Sequence, residues 1–145
     1  MSHPFALPSR LPPDLVRVHA YWQGLLRGAA EMPFWDDANL SDLPDLADRL
    51  LLIDVFRAPE RFRFGLVGEG IGGEDLGGRF LDETKLEWPL EFLRAQCSAT
   101  AECAEPTWFR LQEDRPAGDR SYSRLLLPMW GDGRLAMILG CVDFG

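Results

Sequence analysis

Histidine and cysteine are scarce in this chain of 145 residues, which contains two histidines and three cysteines. Cys97, Cys103 and Cys141 are odd in number and lack a Cys-x-x-Cys spacing. That pattern argues against a secreted disulfide framework and against a zinc site, and favours free thiols that are buried as small hydrophobes. His3 lies in the proline-rich start, and His19 falls in a predicted helix, where we expect a packing or surface role. No metal site is therefore predicted.

Long apolar runs are also missing, because no stretch approaches the roughly 20 residues that a membrane helix requires. The start has no basic stretch followed by an apolar core, so we expect neither a signal peptide nor a membrane anchor and predict a cytoplasmic protein. Positive charge is in deficit, with 15 basic against 23 acidic residues and a net charge of -8. Such a surface repels phosphate backbones and anionic lipids, which argues against nucleic acid and membranes as partners.

Common catalytic patterns are likewise absent from the sequence. Ser121 and Ser123 have no histidine near them in the chain, and no Gly-x-Ser-x-Gly turn occurs. Most acidic pairs fall in predicted loops, where solvated carboxylates are expected. Asp54 lies in a predicted strand, and an acid sheltered there in an apolar cavity would suit a small α+β enzyme. We keep that enzyme as an alternative, but predict no catalytic residue and a non-enzymatic role.

One motif resembles a nucleotide-binding loop. Residues 68–73 read Gly-Glu-Gly-Ile-Gly-Gly and follow a predicted strand, as the dinucleotide fingerprint requires. A pyrophosphate site also needs a helix that begins at the glycines, but Gly77 and Gly78 would interrupt such a helix. Glu69 and Glu74 would repel the phosphates. We therefore interpret the glycines as flexible backbone and not as a nucleotide site.

The residues that are present indicate one folded domain. Hydrophobic residues make up 46% of the chain and charged residues 26%, which is typical of a globular protein. A chain of this length buries roughly 68–70% of its unfolded surface, so it needs no disulfide or metal to fold. We predict a flexible segment over residues 1–12 and a single domain over residues 13–145. The sequence names no cofactor.

The hydrophobic pattern predicts an α+β domain with a five-stranded antiparallel sheet, helices on one face and an amphipathic N-terminal helix. Strands and helices are assigned from periods of two and of three to four residues, and turns from glycine, proline and aspartate. A Gly131-Asp132-Gly133 turn predicts a hairpin between the last two strands. In chain order the predicted segments are a helix from residue 13 to Gly28, a short helix over 41–48, strands over 50–56 and 61–68, a helix over 88–103, and strands over 106–112, 122–130 and 134–144.

Several predicted strands are apolar on both sides, so the second face of the sheet must also be covered. The N-terminal helix can cover it within its own chain or by packing against a second copy. The second possibility predicts a homodimer, since an unused apolar stripe seeks a partner. The stripe, which is also the candidate interface, consists of Leu15, Val18, Trp22, Leu25 and Leu26.

The aromatic and aliphatic residues of the strands suggest a binding space between the sheet and the helices. They can form ordinary core or line a mostly apolar pocket for a small apolar or aromatic ligand. The candidate pocket residues are Phe62, Phe64, Leu66, Phe80, Phe92, Phe109, Leu111, Met137 and Leu139.

Six short strings follow one another along the chain: Tyr21-Trp22-Gln23, Met32-Pro33, Leu51 to Val55, Arg61 to Gly68, Leu76 to Glu83, and Arg124 to Pro128 continuing to Gly140. This ordered series resembles the PAS_5-type family of stand-alone bacterial PAS-like domains. The resemblance spans most of the chain. It implies a PAS-like fold and a sensory domain of bacterial signalling that binds a small molecule or a protein partner, and it implies no catalytic residues. A structural interaction protein without a ligand is the alternative.

Overall fold

The computed structural model describes residues 5–144, apart from the side chain of Glu74. Two α-helices and five strands form the domain, and short 3-10 helices occupy the loops before the first strand and after the second. The elements are α1 (Pro13–Gly24), β1 (Leu50–Phe56), β2 (Arg61–Val67), α2 (Leu93–Cys103), β3 (Thr107–Glu113), β4 (Arg120–Gly131) and β5 (Arg134–Asp143).

The strands form one antiparallel sheet in the order β2-β1-β5-β4-β3. This confirms the predicted α+β class and is consistent with a PAS-like fold. The predicted hairpin between β4 and β5 is confirmed as well: Asp132 and Gly133 have φ angles of 53° and 74°, and Gly131 pairs with Arg134. Two central residues with positive φ give a turn whose twist matches that of the flanking strands.

Helices cover both faces of the sheet. On the α1 face, Leu15, Val18 and Trp22 are buried against strands β4 and β5. On the α2 face, Leu93 and Cys97 are buried against strands from both halves of the sheet. The second face is therefore covered by the N-terminal helix of the same chain, which was one of the two predicted arrangements.

The helix boundaries differ from the predicted ones. Helix α1 ends at Gly24 and not at Gly28, because Leu25 and Leu26 already make the tighter three-residue bonds of a helix end. Helix α2 begins at Leu93, five residues later than predicted, since Phe92 has a left-handed φ of 62°.

Two 3-10 helices, Leu40–Asp42 and Pro44–Arg49, replace the predicted short helix over 41–48. Pro44 disfavours helical backbone at the residue before it, and Leu43 has φ -127° and ψ 59°.

Additional segments lie along both outer strands. The amide of Phe64 in β2 donates to the carbonyl of Arg79 at 2.8 Å, and the carbonyl of Phe64 accepts from Gly78 at 2.7 Å. At the opposite edge, the amide of Trp108 in β3 donates to the carbonyl of Phe5 at 2.8 Å. Part of the segment predicted to be flexible thus contacts the sheet, whereas residues 1–4 lie outside the described residues.

Candidate functional site

Four of the predicted pocket residues meet between the sheet and α2. Phe62 and Phe64 are buried there, and Phe109 and Leu111 pack against the same cluster. They lie on alternate positions of β2 and β3, as the two-residue period predicts. In this arrangement the space is filled by side chains, and these four residues are part of the core.

Met137 and Leu139 lie on the opposite face, so their assignment to this space is wrong. In β5, Leu139 pairs with Leu52 and packs in the α1 cluster, together with Met137. It is Ile138 that faces α2, opposite Ile53. Because both faces of β5 are apolar, the sequence pattern carries no sign of which face is which.

Leu66 is misassigned for another reason, a β-bulge. Leu51 pairs with Val67 and Ile53 with Phe64, so that Gly65 and Leu66 together oppose one residue of β1. The extra residue reverses the alternation. Val67 therefore points into the core, while the side chain of Leu66 is 52% exposed.

The two remaining pocket candidates lie outside the cluster. The ring of Phe80 contacts Phe56 at 5.6 Å between centroids, and the Arg61 guanidinium stacks over it at 3.7 Å. Phe92 is 60% exposed, because its left-handed backbone turns the side chain away just before α2 begins. Its ring touches only the rim of the core, at 5.7 Å from Phe109.

The candidate interface residues are largely used within the chain. Leu15, Val18 and Trp22 are buried in the α1 cluster, and the indole nitrogen of Trp22 donates to the Pro128 carbonyl at 2.9 Å. Leu25 and Leu26 are half-buried, and Leu26 packs against the same cluster. The first three side chains are therefore not accessible to a second copy.

Sequence reasoning missed a buried polar network between α2 and the sheet. Its members are Gln96, Thr100, Thr107 and Arg124, and all four are buried. Arg124 donates from Nε to Oε1 of Gln96 at 2.8 Å, and its terminal nitrogens donate to the carbonyls of Pro89 and Glu91 at 3.0 Å each. Gln96 also donates to the Thr107 hydroxyl, which lies 2.6 Å from that of Thr100.

The Arg124 guanidinium is a buried cation held by neutral groups. In the described part of the chain its partners are one amide, two backbone carbonyls and the side chain of Tyr122, and none of these hydrogen bonds is to a carboxylate. Burial lowers the pKa of Arg124 from its ordinary value. The guanidinium also lies 5.1 Å from the centroid of the Phe109 ring, whose π-face attracts a cation.

The network joins one face of α2 to two strands. Gln96 and Thr100 are four residues apart and lie on the same side of the helix, so one surface of α2 meets β3 and β4. Hydrogen bonds are directional, and a shift of α2 along the sheet would break several of them at once. A signal was present in the sequence: Arg124 alternates with Tyr122 and Leu126, which are both inward apolar positions.

An open groove lies at the C-terminal end of α2. Its volume is about 450 Å³. We call it the arginine groove, and its lining includes Met32, Arg57, Ala101, Trp130, Arg134 and Leu135. A second depression, of about 420 Å³, shares Arg57 and Ala101 with it, and its lining also includes Glu60 and Glu102.

The remaining sequence candidates have structural partners. Asp54 forms an ion pair with Arg63 at 2.9 Å, which does not support a sheltered catalytic acid. His19 stacks on Trp22 with ring centroids 6.0 Å apart, and burial lowers its pKa. The glycines of residues 68–73 lead into the 3-10 helices Glu69–Ile71 and Gly73–Asp75, and not into the α-helix that a pyrophosphate site requires.

Two of the three cysteines have thiols that are shielded from solvent. Cys97 and Cys141 are buried, and burial raises the pKa of each thiol to about 12. Within residues 5–144, no three His, Cys, Asp or Glu side chains form a group suited to a metal ion. None of the described helices has the length and apolar content to cross a bilayer.

Comparison of the sequence with models of protein families and with curated proteins gives no significant match. The resemblance to the PAS_5-type family therefore stays a prediction.

Proposed function

We propose that this chain is a non-enzymatic, cytoplasmic PAS-like module that senses a small molecule in bacterial signalling. The observation that carries the proposal is the strand order β2-β1-β5-β4-β3 with α2 lying across one face and a groove open at the end of that helix. A concave site with apolar lining and few polar groups is the usual form of a small-molecule site.

In this proposal, ligand binding is transmitted from the groove through α2 and β4 to the N-terminal helix. Ala101 lines the groove, and on the same helix Gln96 is bonded to Arg124. In β4, Arg124 faces α2 while Leu125 and Leu127 pack against α1. A ligand that displaces the end of α2 therefore acts on the polar network, and through β4 on the N-terminal helix.

The test of this function is a search for a ligand on the intact chain. We expect native mass spectrometry of protein purified from its own host to show a bound small molecule, or a thermal-shift screen to find one that raises the melting temperature. A ligand that binds only the native state stabilises it by RT ln(1 + L/Kd), where L is the concentration of free ligand, so the melting temperature rises with the ligand concentration. Failure of both measurements would remove the sensing role.

A second candidate, an interaction protein that forms a homodimer, is favoured by exposed aromatic side chains. Trp35 and Trp130 lie together beside the tip of the β4–β5 hairpin, and Trp130 contacts Phe34 at 4.9 Å. Light scattering of the intact chain should then give twice the monomer mass, and Trp35→Ser should return it to the monomer mass. A monomer at all concentrations contradicts this candidate.

A further inference from the structure

We propose that the arginine groove binds a small organic anion, namely a carboxylate attached to a flat apolar body about the size of one or two rings. This inference rests on the proposed sensing function and adds to it a location and a chemical class. It is carried by two features of the groove, its apolar lining and two arginines that lack acidic partners.

The apolar part of the ligand is matched by the lining. Met32 and Leu135 supply aliphatic surface, while Ala101 on α2 and Ala104 just after the helix are small and leave space beside them. Trp130 is 39% exposed at the rim and offers a ring face for stacking. The volume of about 450 Å³ lies within the roughly 300–1,000 Å³ range of small-molecule sites.

The anionic part is matched by Arg57 and Arg134. The Arg57 side chain is exposed, and within residues 5–144 it has neither an ion pair nor a hydrogen bond. One terminal nitrogen of Arg134 donates to the carbonyls of Val55 and Leu135, at 2.8 and 3.2 Å. Those bonds hold the guanidinium in place and leave its other N–H groups for a ligand. A planar fork of this kind binds a carboxylate through two parallel hydrogen bonds.

The charge of the groove contrasts with that of the chain and of the other depressions. The chain has a net charge of -8, and at other sites arginines pair with acids, as Arg61 does with Asp82. A third depression, of about 640 Å³ beside the β-bulge, has Asp48 and Glu69 as its charged lining residues. Among the described residues, the charged side chains that line the arginine groove are Arg57 and Arg134, and the neighbouring depression that shares Arg57 holds Glu60 and Glu102. Because these two acids lie in the depression that Arg57 shares, we expect the carboxylate of the ligand to bind nearer to Arg134.

The experiment compares two probes of the same shape, 2-naphthoate and the neutral alcohol 2-naphthalenemethanol, by titration calorimetry on the intact chain. We expect saturable one-to-one binding of 2-naphthoate and binding of the alcohol that is at least about tenfold weaker, since the alcohol lacks the charged hydrogen bonds. Equal affinities for the two probes, or no binding of 2-naphthoate up to about 5 mM, would overturn the inference.

Variants then locate the site. Arg57→Gln removes a charge but no hydrogen bond or ion pair of the described residues, so the fold should be unchanged while 2-naphthoate binds about tenfold more weakly. Arg134→Gln should weaken binding as much or more. The melting temperature of this variant shows whether the loss of the hydrogen bonds to the two carbonyls also destabilises the fold. Arg115→Gln, at an exposed position in the loop between β3 and β4, is the matched control and should bind like the unmodified protein. Unchanged binding in Arg57→Gln would contradict the assignment.

The outcomes separate this inference from the proposed function. A protein that binds a neutral molecule but not 2-naphthoate keeps its sensing function and loses the anion site. A protein that binds no small molecule of any class loses both.

Discussion

The two faces of the sheet are covered by helices of similar length but of different chemistry. The buried residues of α1 are Leu15, Val18 and Trp22, which pack against leucines and a methionine of the sheet, and the indole nitrogen of Trp22 adds a hydrogen bond to the Pro128 carbonyl. The inward side of α2 alternates apolar and polar residues, since Gln96 and Thr100 are buried beside Leu93 and Cys97. The stability of the α1 face therefore depends mainly on area removed from water. The stability of the α2 face depends more on hydrogen-bond geometry.

The difference suggests that the two helices have different roles. Apolar contacts are non-directional, and their free energy follows the buried area, so most of the stability that the α1 face contributes does not depend on hydrogen-bond geometry. A buried polar network is stable only when all of its members are paired, so it favours one position of α2 over others. The α2 face also borders the arginine groove. We infer that α1 chiefly stabilises the fold and that α2 chiefly responds to a ligand.

The largest expected effect comes from Trp22→Ala. The side chain is almost fully buried and donates a hydrogen bond to Pro128, so the cavity and the lost bond should lower the free energy of unfolding by about 4 kcal/mol. Urea denaturation measures this value. Val16→Ala on the same helix, at a position that is 48% exposed, is the control and should change stability by less than about 0.5 kcal/mol. A loss below about 1 kcal/mol in Trp22→Ala would refute the stabilising role of the α1 face.

Arg124→Met tests the other face. The substitution keeps an apolar stem but leaves Gln96 and two carbonyls without their donor, and we expect a loss of about 3 kcal/mol in urea denaturation. Combining it with Gln96→Leu completes a double-mutant cycle. The two changes should cost at least about 1 kcal/mol less together than the sum of the single changes, because they share a network. Additive effects would show that the polar residues act independently.

Alkaline pH should weaken both faces, because each contains one buried thiol. Burial raises the pKa of Cys97 and of Cys141 from 9.0 to about 12, so between these values the unfolded chain loses thiol protons that the folded chain keeps. The contribution of the two buried thiols to stability is fully present below about pH 9. Above that pH the free energy of unfolding falls by about 1.4 kcal/mol per pH unit for each thiol. Urea denaturation at a series of pH values measures the slope.

Variants separate the contributions of the thiols to that slope. Cys97→Ala and Cys141→Ala should each make the fall shallower. An unchanged slope in these two variants would contradict the attribution to buried thiols.

The smallest effect is a difference in local opening. With two polar residues on its inward side, α2 buries less apolar surface per turn than α1, so it should open more often in the native state. A thiol reagent should then label Cys97 about fivefold faster than Cys141, a ratio that corresponds to roughly 1 kcal/mol. Mass spectrometry of labelled peptides gives both rates in one sample. Equal rates would contradict the expectation that α2 opens more often than α1.

Features that depend on neighbouring residues were predictable from the sequence. The strand Leu50–Phe56 was predicted with its observed bounds, and the turn at Asp132 and Gly133 follows from the local preference for positive φ. The apolar stripe of α1 and its contact with the sheet also follow from a local period.

Features that depend on distant partners were not predictable. The bulge at Leu66 arises from its pairing with β1, and the inward side of β5 is set by the strands on either side of it. The burial of Arg124 depends on acceptors 28 to 35 residues away in the chain. The alternation of Arg124 with Tyr122 and Leu126 indicates an inward position, but a charged residue in a strand predicts a solvent-exposed one unless such partners are known. Four of the nine pocket candidates therefore lie between the sheet and α2, where they are part of the core, and the polar network was missed.

The segments beside the two outer strands have a further consequence. A sheet that ends in free amides and carbonyls is a template on which another chain can add a strand and start a fibre. Here the backbone of Phe64 is already bonded to residues 78–79, and the amide of Trp108 is bonded to Phe5. Both rims of the sheet are thus partly closed against edge-to-edge aggregation, even though the strands inside them are among the most apolar parts of the chain.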